Sequence, residues 1–418
     1  MKVSGSANRR KRMRVLTFST LYPSEARPRH GIFVETRLRH MIALGDVDAR
    51  VVAPVPWFPS GWKGFGAYAR FAATPRREQR HGIAIAHPRY LMLPKIGMTM
   101  QPLSLALAGL RAAQRMRRDG FECDVIDAHY FYPDGVAAAI MAKRLRKPLV
   151  VTARGSDLNL IADLPRARRR ILAAAHRCAR IVCVSAALRD RAIAIGIEAE
   201  SVEVLRNGVD LGLFTPQDRD DSLRALGLDR LPRPLLLAVG NLVPEKGLDL
   251  AVHALARIPQ ASLLIVGEGP EARALGRLAA ELGVTSRLAI IAAMPQQRLA
   301  LAYSAADLLV LPSLREGWPN VVLEAMACGT PVVAADVGGV REILSDPRTG
   351  RVLPQRSVEA LVAGIEALLR NAPSRDAVRG HAARFEWRTV VERHREVLRL
   401  AAARSSSYFA GKPQCATY

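Results

Sequence analysis

The sequence predicts an α/β protein built from two doubly wound domains. Short apolar, β-branched runs such as RVLTFST and PLVVTARG alternate with amphipathic helical stretches, and the same rhythm restarts after residue 232 with PLLLAVGNL and ASLLIVGEG. This alternation is typical of parallel sheets that are covered by helices on both faces. A chain of 418 residues is also longer than a single hydrophobic core usually supports, which favours two domains.

The alternation of strand-like and helix-like segments is interrupted between residues 213 and 233, and the domain boundary is predicted there. The prediction is an N-terminal Rossmann-like domain over residues 1–212 and a C-terminal Rossmann-like domain over residues 213–381. A helical stretch over 382–404 follows the last strand signal, and the tail over 405–418 is predicted to be disordered. Ligands of open sheets bind beyond the carboxyl ends of the strands, which is where every notable motif of this sequence lies.

The net charge of +23 is concentrated in the first half of the chain, where residues 1–210 hold 36 lysines and arginines against 17 acidic residues. A single basic half indicates an anionic partner, although an arginine- and alanine-rich composition is also typical of a GC-rich genome. The stretches 110–120 and 165–180 place arginines beside apolar faces at helical spacing, which fits an anionic membrane surface or a solvated helix face. Nucleic acid is disfavoured, because the sequence has no helix-turn-helix, zinc or RNA-binding motif.

Cysteine usage and hydropathy predict a cytoplasmic protein that is at most peripheral on the inner face of the plasma membrane. The five cysteines have no zinc spacing and lie mostly in apolar segments, which is typical of buried thiols in a reducing compartment. The basic RRKRMR segment is not followed by an apolar signal-peptide region, and the sequence has no run of eighteen apolar residues.

Two loops that follow strands in the second half suit a nucleotide diphosphate. In VGNLVPEKG, Gly240 allows close backbone approach and Lys246 places a positive charge where a helix opens. VGEGP, with Gly267 and Glu268, is a second glycine-rich turn. In the first half, Gly31 follows the first strand and is a further candidate for phosphate approach. The full G-x-G-x-x-G fingerprint is absent, so NAD binding is not predicted.

Two glutamates flank a Trp-Pro-Asn corner in REGWPNVVLEAMACG. Glu316 is predicted on a loop after a strand, and Glu324 one turn inside a short helix. Pro319 suits the first position of that helix, and Gly329 suits its C-terminal cap. The only Asp-x-Asp of the chain, at residues 46–48, is predicted to be a surface turn and not a metal site.

The order of these motifs closely resembles the nucleotide-binding half of family 4 retaining glycosyltransferases, which have the GT-B fold. The matching segments are VGNLVPEKG, LLIVGEGP and ADLLVLPSLREGWPNVVLEAMACGTPVVAADVGG. In the first half, HGIFVE, DAHYFYPDG, RGSDLN, VSAALRD and RNGVD follow the order of a bacterial subset that makes cell-surface polysaccharides. The resemblance covers about residues 14–400. It implies two Rossmann-like domains facing a central cleft, with the C-terminal helix crossing back to the N-terminal domain.

The resemblance also implies a role for each residue of a donor site. Glu324 would hold the ribose hydroxyls of the donor nucleotide, Glu316 would lie against the transferred sugar, and Lys246 would neutralise the leaving diphosphate. The amides that open the short helix would face sugar hydroxyls and diphosphate oxygens. The implied donor-binding set is Gly31, Gly240, Asn241, Lys246, Gly267, Glu268, Glu316, Gly317, Asn320, Val321 and Glu324.

Two positions depart from the pattern of the family. Asn241 stands where the family usually has an arginine, so half of the diphosphate clamp is missing. Arg154 stands in RGSD where the family often has a histidine, and it would either face the donor sugar or bind an anionic sugar or acceptor phosphate. His129, in DAHY, is either an acceptor-side residue or a hydrogen-bonded structural histidine. Glu316, Lys246, Arg154 and His129 together form the candidate catalytic set.

The function that the resemblance implies is retaining, metal-independent transfer of a sugar. The donor would be a UDP- or GDP-sugar, and the acceptor a glycan or lipid-linked molecule in cell-envelope glycan synthesis. The β-phosphate of the donor would accept the acceptor proton while Lys246 stabilises the departing diphosphate, and no cofactor or metal is expected. Two alternatives remain open: a nucleotide-sugar 2-epimerase on the same fold, and a non-catalytic nucleotide-sugar-binding protein.

Overall fold

The structure is a computed structural model that describes residues 12–58, 60, 67–92 and 97–403. The tail predicted to be disordered, 405–418, lies outside the described residues. The chain divides into two compact units. The first unit consists of Met1–Cys183, Arg189–Leu205 and Val391–Tyr418, and the second of Val184–Leu188 and Arg206–Val390.

The second unit begins earlier along the chain than the boundary predicted after residue 212. The amide of Val209 donates to the Phe385 carbonyl over 2.8 Å. The Arg379 guanidinium donates to the carbonyls of Leu211 and Phe214 over 3.0 and 2.8 Å. Residues 206–212 are therefore tied to the C-terminal end of the second unit, and composition does not reveal such a pairing of distant segments.

The described part of the first unit holds ten strands and the helices that connect them. The strands are β1 (Met13–Phe18), β2 (Val47–Val52), β3 (Val55–Pro56), β4 (Arg77–Arg80), β5 (Ile83–Ala86), β6 (Arg89–Tyr90), β7 (Val125–His129), β8 (Leu149–Ala153), β9 (Arg180–Cys183) and β10 (Val202–Val204). The helices are α1 (Ile32–Ile42), α2 (Ala67–Ala73), α3 (Gly97–Arg118), α4 (Val136–Leu145), α5 (Ser156–Asn159), α6 (Pro165–Ala175) and α7 (Ala186–Ala194), the last beginning in the Val184–Leu188 segment of the second unit.

The large sheet of the first unit has the order β10-β9-β8-β7-β1-β2-β5-β4, and β3 pairs with β6 in a separate ribbon. Neighbouring strands of the large sheet are parallel except β4, which runs antiparallel to β5. The strand order reverses between β1 and β7. The doubly wound topology predicted from the sequence is therefore confirmed for this unit.

The second unit alternates strands and helices in chain order. Its elements are α8 (Arg219–Leu226), β11 (Leu235–Val239), α9 (Leu248–Arg257), β12 (Ser262–Val266), α10 (Ala272–Glu281), β13 (Leu288–Ile291), α11 (Gln296–Ala305), β14 (Leu308–Leu311), α12 (Asn320–Ala327), β15 (Val332–Ala335), α13 (Val340–Ile343), β16 (Gly350–Leu353), α14 (Val358–Arg370) and α15 (Arg375–Ala382). The strand order is β13-β12-β11-β14-β15-β16, with every pair parallel. The order reverses between β11 and β14, as in a Rossmann fold.

Five strands of the two sheets are buried along their whole length. Every residue of β7, β8, β12, β14 and β15 is buried. Helices cover both faces of a parallel sheet, so such strands need near-continuous apolar runs, and these are the runs from which the fold was predicted. None of the described helices is long and apolar enough to cross a membrane.

A last helix, α16 (Trp387–Ala403), starts in the second unit and belongs to the first unit from Val391 onward. It is held there by Asp46, whose carboxylate accepts from Arg395 over 3.0 Å and from Arg399 over 2.6 Å. The predicted stretch 382–404 is thus interrupted, because α15 ends at Ala382 and a short turn precedes α16. The return of the C-terminal helix to the first unit is as the resemblance implied.

The loops after β11 and β12 pack against each other without room for a side chain. The Leu242 amide donates to the Glu268 carbonyl over 2.9 Å, and a Cβ built on Gly267 would lie 1.8 Å from the Gly240 carbonyl oxygen. Gly267 is therefore required by the contact between the two loops.

We expect Gly267→Ala to lower the free energy of unfolding by about 1–3 kcal/mol, because backbone must move to admit the methyl group. The matched control is Gly276→Ala on α10, where an added Cβ meets no atom within 4 Å. That change should raise stability by about 0.5–1 kcal/mol, since alanine restricts the unfolded chain and favours helix. Urea unfolding measures both, and equal effects of the two variants would contradict the packing argument.

Candidate active site

Lys246 and Glu316 meet where the strand order of the second unit reverses. Lys246 ends a short turn after β11, and Glu316 lies on the loop after β14. Lys246 Nζ donates to Glu316 Oε1 over 2.6 Å, and both side chains are partly buried. The Leu314 amide donates to the Glu245 carbonyl over 2.8 Å and joins the two loops beside this pair. The fold therefore brings these two charges together at the carboxyl ends of β11 and β14.

The second glutamate, Glu324, lies on α12 and is hydrogen-bonded to a buried tyrosine. The Tyr303 hydroxyl, from α11, donates to Glu324 Oε2 over 2.8 Å. Burial raises the pKa of Glu324 to about 7, and the bond from Tyr303 offsets only part of that rise. Sequence reasoning did not find Tyr303. Its only signal was a phenol within the apolar stretch LALAYSAAD.

The loop between the glutamates is fixed by the second unit itself. Gly317 accepts at its carbonyl from the Gly339 amide over 3.1 Å, and the buried Trp318 ring lies 5.8 Å from the ring of Phe385. Helix α12 begins at Asn320, so Pro319 directly precedes the helix and does not occupy its first position as predicted. Pro319 is held in an extended conformation, with φ −79° and ψ 92°.

Asn320, the first residue of α12, is positioned by another asparagine. Asn207 Nδ2 donates to Asn320 Oδ1 over 3.0 Å, and Asn207 is buried. Asn207 belongs to the RNGVD segment that resembled the family, but no role was predicted for it. Because Asn320 accepts this hydrogen bond at its Oδ1, its Nδ2 group can donate a hydrogen bond to another group.

The remaining predicted donor-site residues differ in their exposure and in the elements that carry them. Asn241 and Glu268 are exposed, Gly240 and Val321 are partly buried, and Gly267 is buried. Gly31 lies in the first unit, at the N-terminus of α1, with the positive φ of 67° that glycine tolerates.

In the first unit, His129 ends β7 and is only 1% exposed. Arg154 Nη2 lies 2.7 Å from His129 Nδ1, and His129 Nε2 lies 3.2 Å from Asp127 Oδ2. A guanidinium has only donors, so Nδ1 must be the acceptor and Nε2–H must donate to Asp127. Burial, reinforced by Arg154, lowers the pKa of His129 to about 4 despite the attraction of Asp127. His129 is therefore neutral at pH 7. Its hydrogen bonds match the second interpretation from the sequence, a structural histidine, rather than an acceptor-side residue.

Arg154 is held on two sides within the first unit. Besides its bond to His129, its guanidinium lies 5.0 Å from the centre of the Phe33 ring. Its backbone is fixed by Asp157, whose carboxylate accepts from the amides of Phe131 over 2.7 Å, Arg154 over 3.1 Å and Gly155 over 2.7 Å. Asp127 and Asp157 lay in recognised motifs, but which groups they would contact could not be read from the sequence.

The Asp-x-Asp at residues 46–48 is not a simple surface turn. Asp46 binds the arginines of α16 described above, and Asp48 lies within β2. Over the described residues, no group of three or more His, Cys, Asp or Glu side chains is arranged to hold a metal ion.

The raised pKa of Glu324 has a consequence for stability. A carboxyl of ordinary pKa 4.5 when unfolded and about 7 when folded binds more protons in the folded state between these pH values. Stability from this group is therefore full below pH 4.5 and is lost as pH rises to about 7. We expect Glu324→Gln, which keeps an acceptor for Tyr303, to gain about 2–3 kcal/mol relative to wild type between pH 5 and pH 8. Urea unfolding at both pH values tests this, with Glu281→Gln on α10 as the exposed control; no pH-dependent difference would contradict it.

The tautomer of His129 is testable by ¹⁵N NMR of histidine-labelled protein. We expect a neutral ring with its proton on Nε2 from pH 8 down to about pH 5, since the lowered pKa is about 4. His129→Gln identifies the signal by its loss. A proton on Nδ1, or protonation of the ring near pH 6.5, would contradict the arrangement of Asp127, His129 and Arg154.

Two family models together match most of the chain. The model described as "Glycosyltransferase Family 4" matches residues 65–213, and the one described as "Glycosyl transferases group 1" matches residues 221–385. A Bacillus subtilis (strain 168) protein, TuaC, whose name assigns it to teichuronic acid biosynthesis as a glycosyltransferase, is 31% identical over 363 residues, covering 84% of this chain and 88% of that protein. The D-inositol 3-phosphate glycosyltransferase of Acidothermus cellulolyticus is 34% identical over 72% of each chain.

Solved structures share the fold at low sequence identity. Sucrose-phosphate synthase from Thermosynechococcus elongatus superposes with a TM-score of 0.75 at 20% identity, covering 94% of this chain and 100% of that one. Anabaena HepE, solved in complex with UDP-glucose, gives a TM-score of 0.71 at 22% identity, covering 93% and 100%. These matches and the two parallel sheets establish the GT-B fold. By family models and full-length relatives, the chain belongs to the family 4 glycosyltransferases.

Proposed function

We propose that this glycosyltransferase transfers a sugar from a UDP- or GDP-sugar to a glycan or lipid-linked acceptor in cell-envelope synthesis. The observation that carries the proposal is the contact of Lys246 with Glu316 at the strand reversal of the second unit. The name of the B. subtilis relative, which refers to teichuronic acid biosynthesis, supports an envelope role. The complexes of HepE with UDP and with UDP-glucose support a nucleotide-sugar donor.

The Lys246–Glu316 pair suggests how the donor is received. The two charges neutralise each other within a partly buried contact. A diphosphate carries more negative charge than one carboxylate and would compete for the Lys246 ammonium. Glu316 would then be released to accept hydrogen bonds from hydroxyls of the transferred sugar. Donor binding would thus replace one ion pair by two charge-assisted sets of contacts.

Glu324 is proposed to bind the ribose of the donor. Two ribose hydroxyls bind more strongly to a carboxylate than to a neutral acid, since both hydrogen bonds are then charge-assisted. Because burial raises the pKa of Glu324 to about 7, this carboxyl changes charge close to neutral pH. The first turn of α12, with Asn320 and Val321, would supply amides to the donor oxygens.

The proposed chemistry is retaining and needs no protein nucleophile. The acceptor hydroxyl attacks the anomeric carbon on the face that the leaving diphosphate departs from, and a β-phosphate oxygen of the donor takes its proton. The anomeric C–O bond to the diphosphate breaks as the new glycosidic bond forms. Lys246 stabilises the charge that develops on the diphosphate, which is why no divalent metal is proposed. Arg154 is proposed to bind an anionic group of the sugar or of the acceptor.

The remaining parts of the proposal concern place and alternatives. We propose a cytoplasmic enzyme on the inner face of the plasma membrane, where lipid-linked acceptors are found. The matched family models and the relatives named above are glycosyltransferases, which favours transfer over 2-epimerisation. A non-catalytic binder would bind the donor without turning it over, so an activity assay separates a transferase from a binding protein.

The test is incubation of the purified protein with a panel of UDP-, GDP- and dTDP-sugars, with release of nucleoside diphosphate as the readout. We expect slow hydrolysis of one donor, unchanged by EDTA, and a loss of about 10²-fold in kcat for Lys246→Ala, because an interaction with the leaving group is removed. Lys143→Ala, at an exposed position on α4, is the control. Formation of an epimer, loss of activity with EDTA, or full activity of Lys246→Ala would each contradict the proposal.

A further inference from the structure

Tyr303, on α11, is a fully buried side chain to which the proposed transfer gives no role. Its ring meets the ring of Phe214 edge to face, with the two ring centres 5.9 Å apart. Its backbone carbonyl accepts from the Thr330 hydroxyl over 2.6 Å. All three residues belong to the second unit, so the packing of that unit holds the phenol in one position.

The phenol hydroxyl donates to a glutamate that is less deeply buried than the phenol itself. The bond runs to Glu324 Oε2 over 2.8 Å, whereas Glu324 Oε1 accepts no hydrogen bond from the part of the chain that the structure describes. Tyr303 is fully buried, and Glu324 is partly exposed. The carboxylate is therefore held from the interior of the unit at one oxygen, and the other oxygen is available to a ligand.

Such a bond limits how the carboxylate can turn. The last torsion of a glutamate side chain is soft, so a carboxylate without a fixed donor turns toward whichever ligand hydroxyl is present. A hydrogen bond from an immobile phenol sets the plane of the carboxylate and leaves Oε1 and one lone pair of Oε2 in fixed directions. Two fixed acceptor directions suit a pair of neighbouring hydroxyls, and a ribose carries such a pair at its 2′ and 3′ positions.

Fixed acceptors also reject a sugar that lacks one of the two hydroxyls. A site that is built to bind a hydroxyl discriminates strongly against the analogue without it, because a polar group of the site is then left unpaired. A carboxylate that could turn would bind the one remaining hydroxyl and lose less affinity. The contact between Tyr303 and Glu324 therefore bears on which nucleotides the site accepts.

We propose that Tyr303 is a positioning residue, which fixes Glu324 for the two ribose hydroxyls and makes the site select ribonucleotides over 2′-deoxyribonucleotides. The proposal rests on the ribose-binding role proposed above for Glu324 and adds the group that sets its selectivity. A purely structural contact between α11 and α12 would lower stability on removal but would leave the selectivity for ribose unchanged.

The experiment compares the affinities of the full-length protein for UDP and 2′-deoxy-UDP, and for GDP and 2′-deoxy-GDP, by isothermal titration calorimetry. We expect the wild type to bind the ribonucleotide of one pair about 10- to 100-fold more tightly, which is typical of a hydrogen bond to a charged group. Tyr303→Phe removes only the hydroxyl. We expect it to reduce this ratio to about threefold or less, chiefly by weakening binding of the ribonucleotide.

Two control variants separate positioning from a general effect on folding. Tyr90→Phe removes the hydroxyl of a buried tyrosine of the first unit, which accepts from Gln101 over 3.3 Å, and should leave the ratio unchanged. Glu324→Ala should abolish the preference for the ribonucleotide. Adding Tyr303→Phe to Glu324→Ala should change the ratio no further, because Tyr303 acts through that carboxylate.

A preference that persists in Tyr303→Phe, a further change in the double variant, or an equal loss in Tyr90→Phe would overturn the proposal. Should Tyr303→Phe fail to fold, the wild type provides a second test with 3′-deoxy-UDP and 3′-deoxy-GDP. The 3′-deoxynucleotide should also bind about tenfold or more weakly, since both acceptor directions are fixed, and equal affinity would contradict the proposal.

The same titrations distinguish the failure of this inference from the failure of the proposed function. A preference that is lost in Glu324→Ala but kept in Tyr303→Phe refutes the role of Tyr303 alone. Equal wild-type affinities for the ribonucleotide and the 2′-deoxyribonucleotide refute the ribose-binding role of Glu324 as well. Absence of binding to all of these nucleotides refutes both the inference and the proposed donor.

Discussion

The reversal of strand order between β11 and β14 is the constraint on which the candidate active site depends. Strands that are adjacent in the sheet but wound in opposite directions send their following helices to opposite faces, and this leaves a crevice at their carboxyl ends. Lys246 follows one of these strands and Glu316 the other, 70 residues apart in the chain. Their 2.6 Å contact exists because β11 and β14 are paired in register at the centre of the second sheet.

That ion pair also compensates two partly buried charges. A partly buried lysine without a counter-ion would be costly, and so would a carboxylate without a donor. Pairing the two charges stabilises both of them at the carboxyl ends of β11 and β14. The loops that carry the two charges are joined to each other and to the rest of the second unit by backbone hydrogen bonds.

Burial shifts the pKa values of two ionisable groups, one in each unit, in opposite directions. Glu324 is partly buried beside an uncharged hydroxyl, which compensates its charge only in part, so its pKa rises to about 7. His129 is buried between Arg154 and Asp127, which fix one neutral tautomer, and its pKa falls to about 4. Glu324 therefore changes charge near physiological pH, whereas His129 stays neutral and orients Arg154. The partners Tyr303 and Arg154 lie 21 and 25 residues from Glu324 and His129, respectively, whereas Asp127 is a near neighbour of His129 in the sequence.

The fold class could be predicted from the residue pattern, because buried parallel strands need continuous apolar runs and those runs alternate visibly with helical stretches. The residue pattern also predicted the candidate site loops, since motifs such as VGNLVPEKG and REGWPNVVLEAMACG combine local spacing with a recognisable order. The partners of the site residues became visible only in the folded chain: Tyr303 for Glu324, Asn207 for Asn320, and Arg154 for His129. These outcomes depend on packing between segments distant in the chain, and no local pattern of residues encodes that distance.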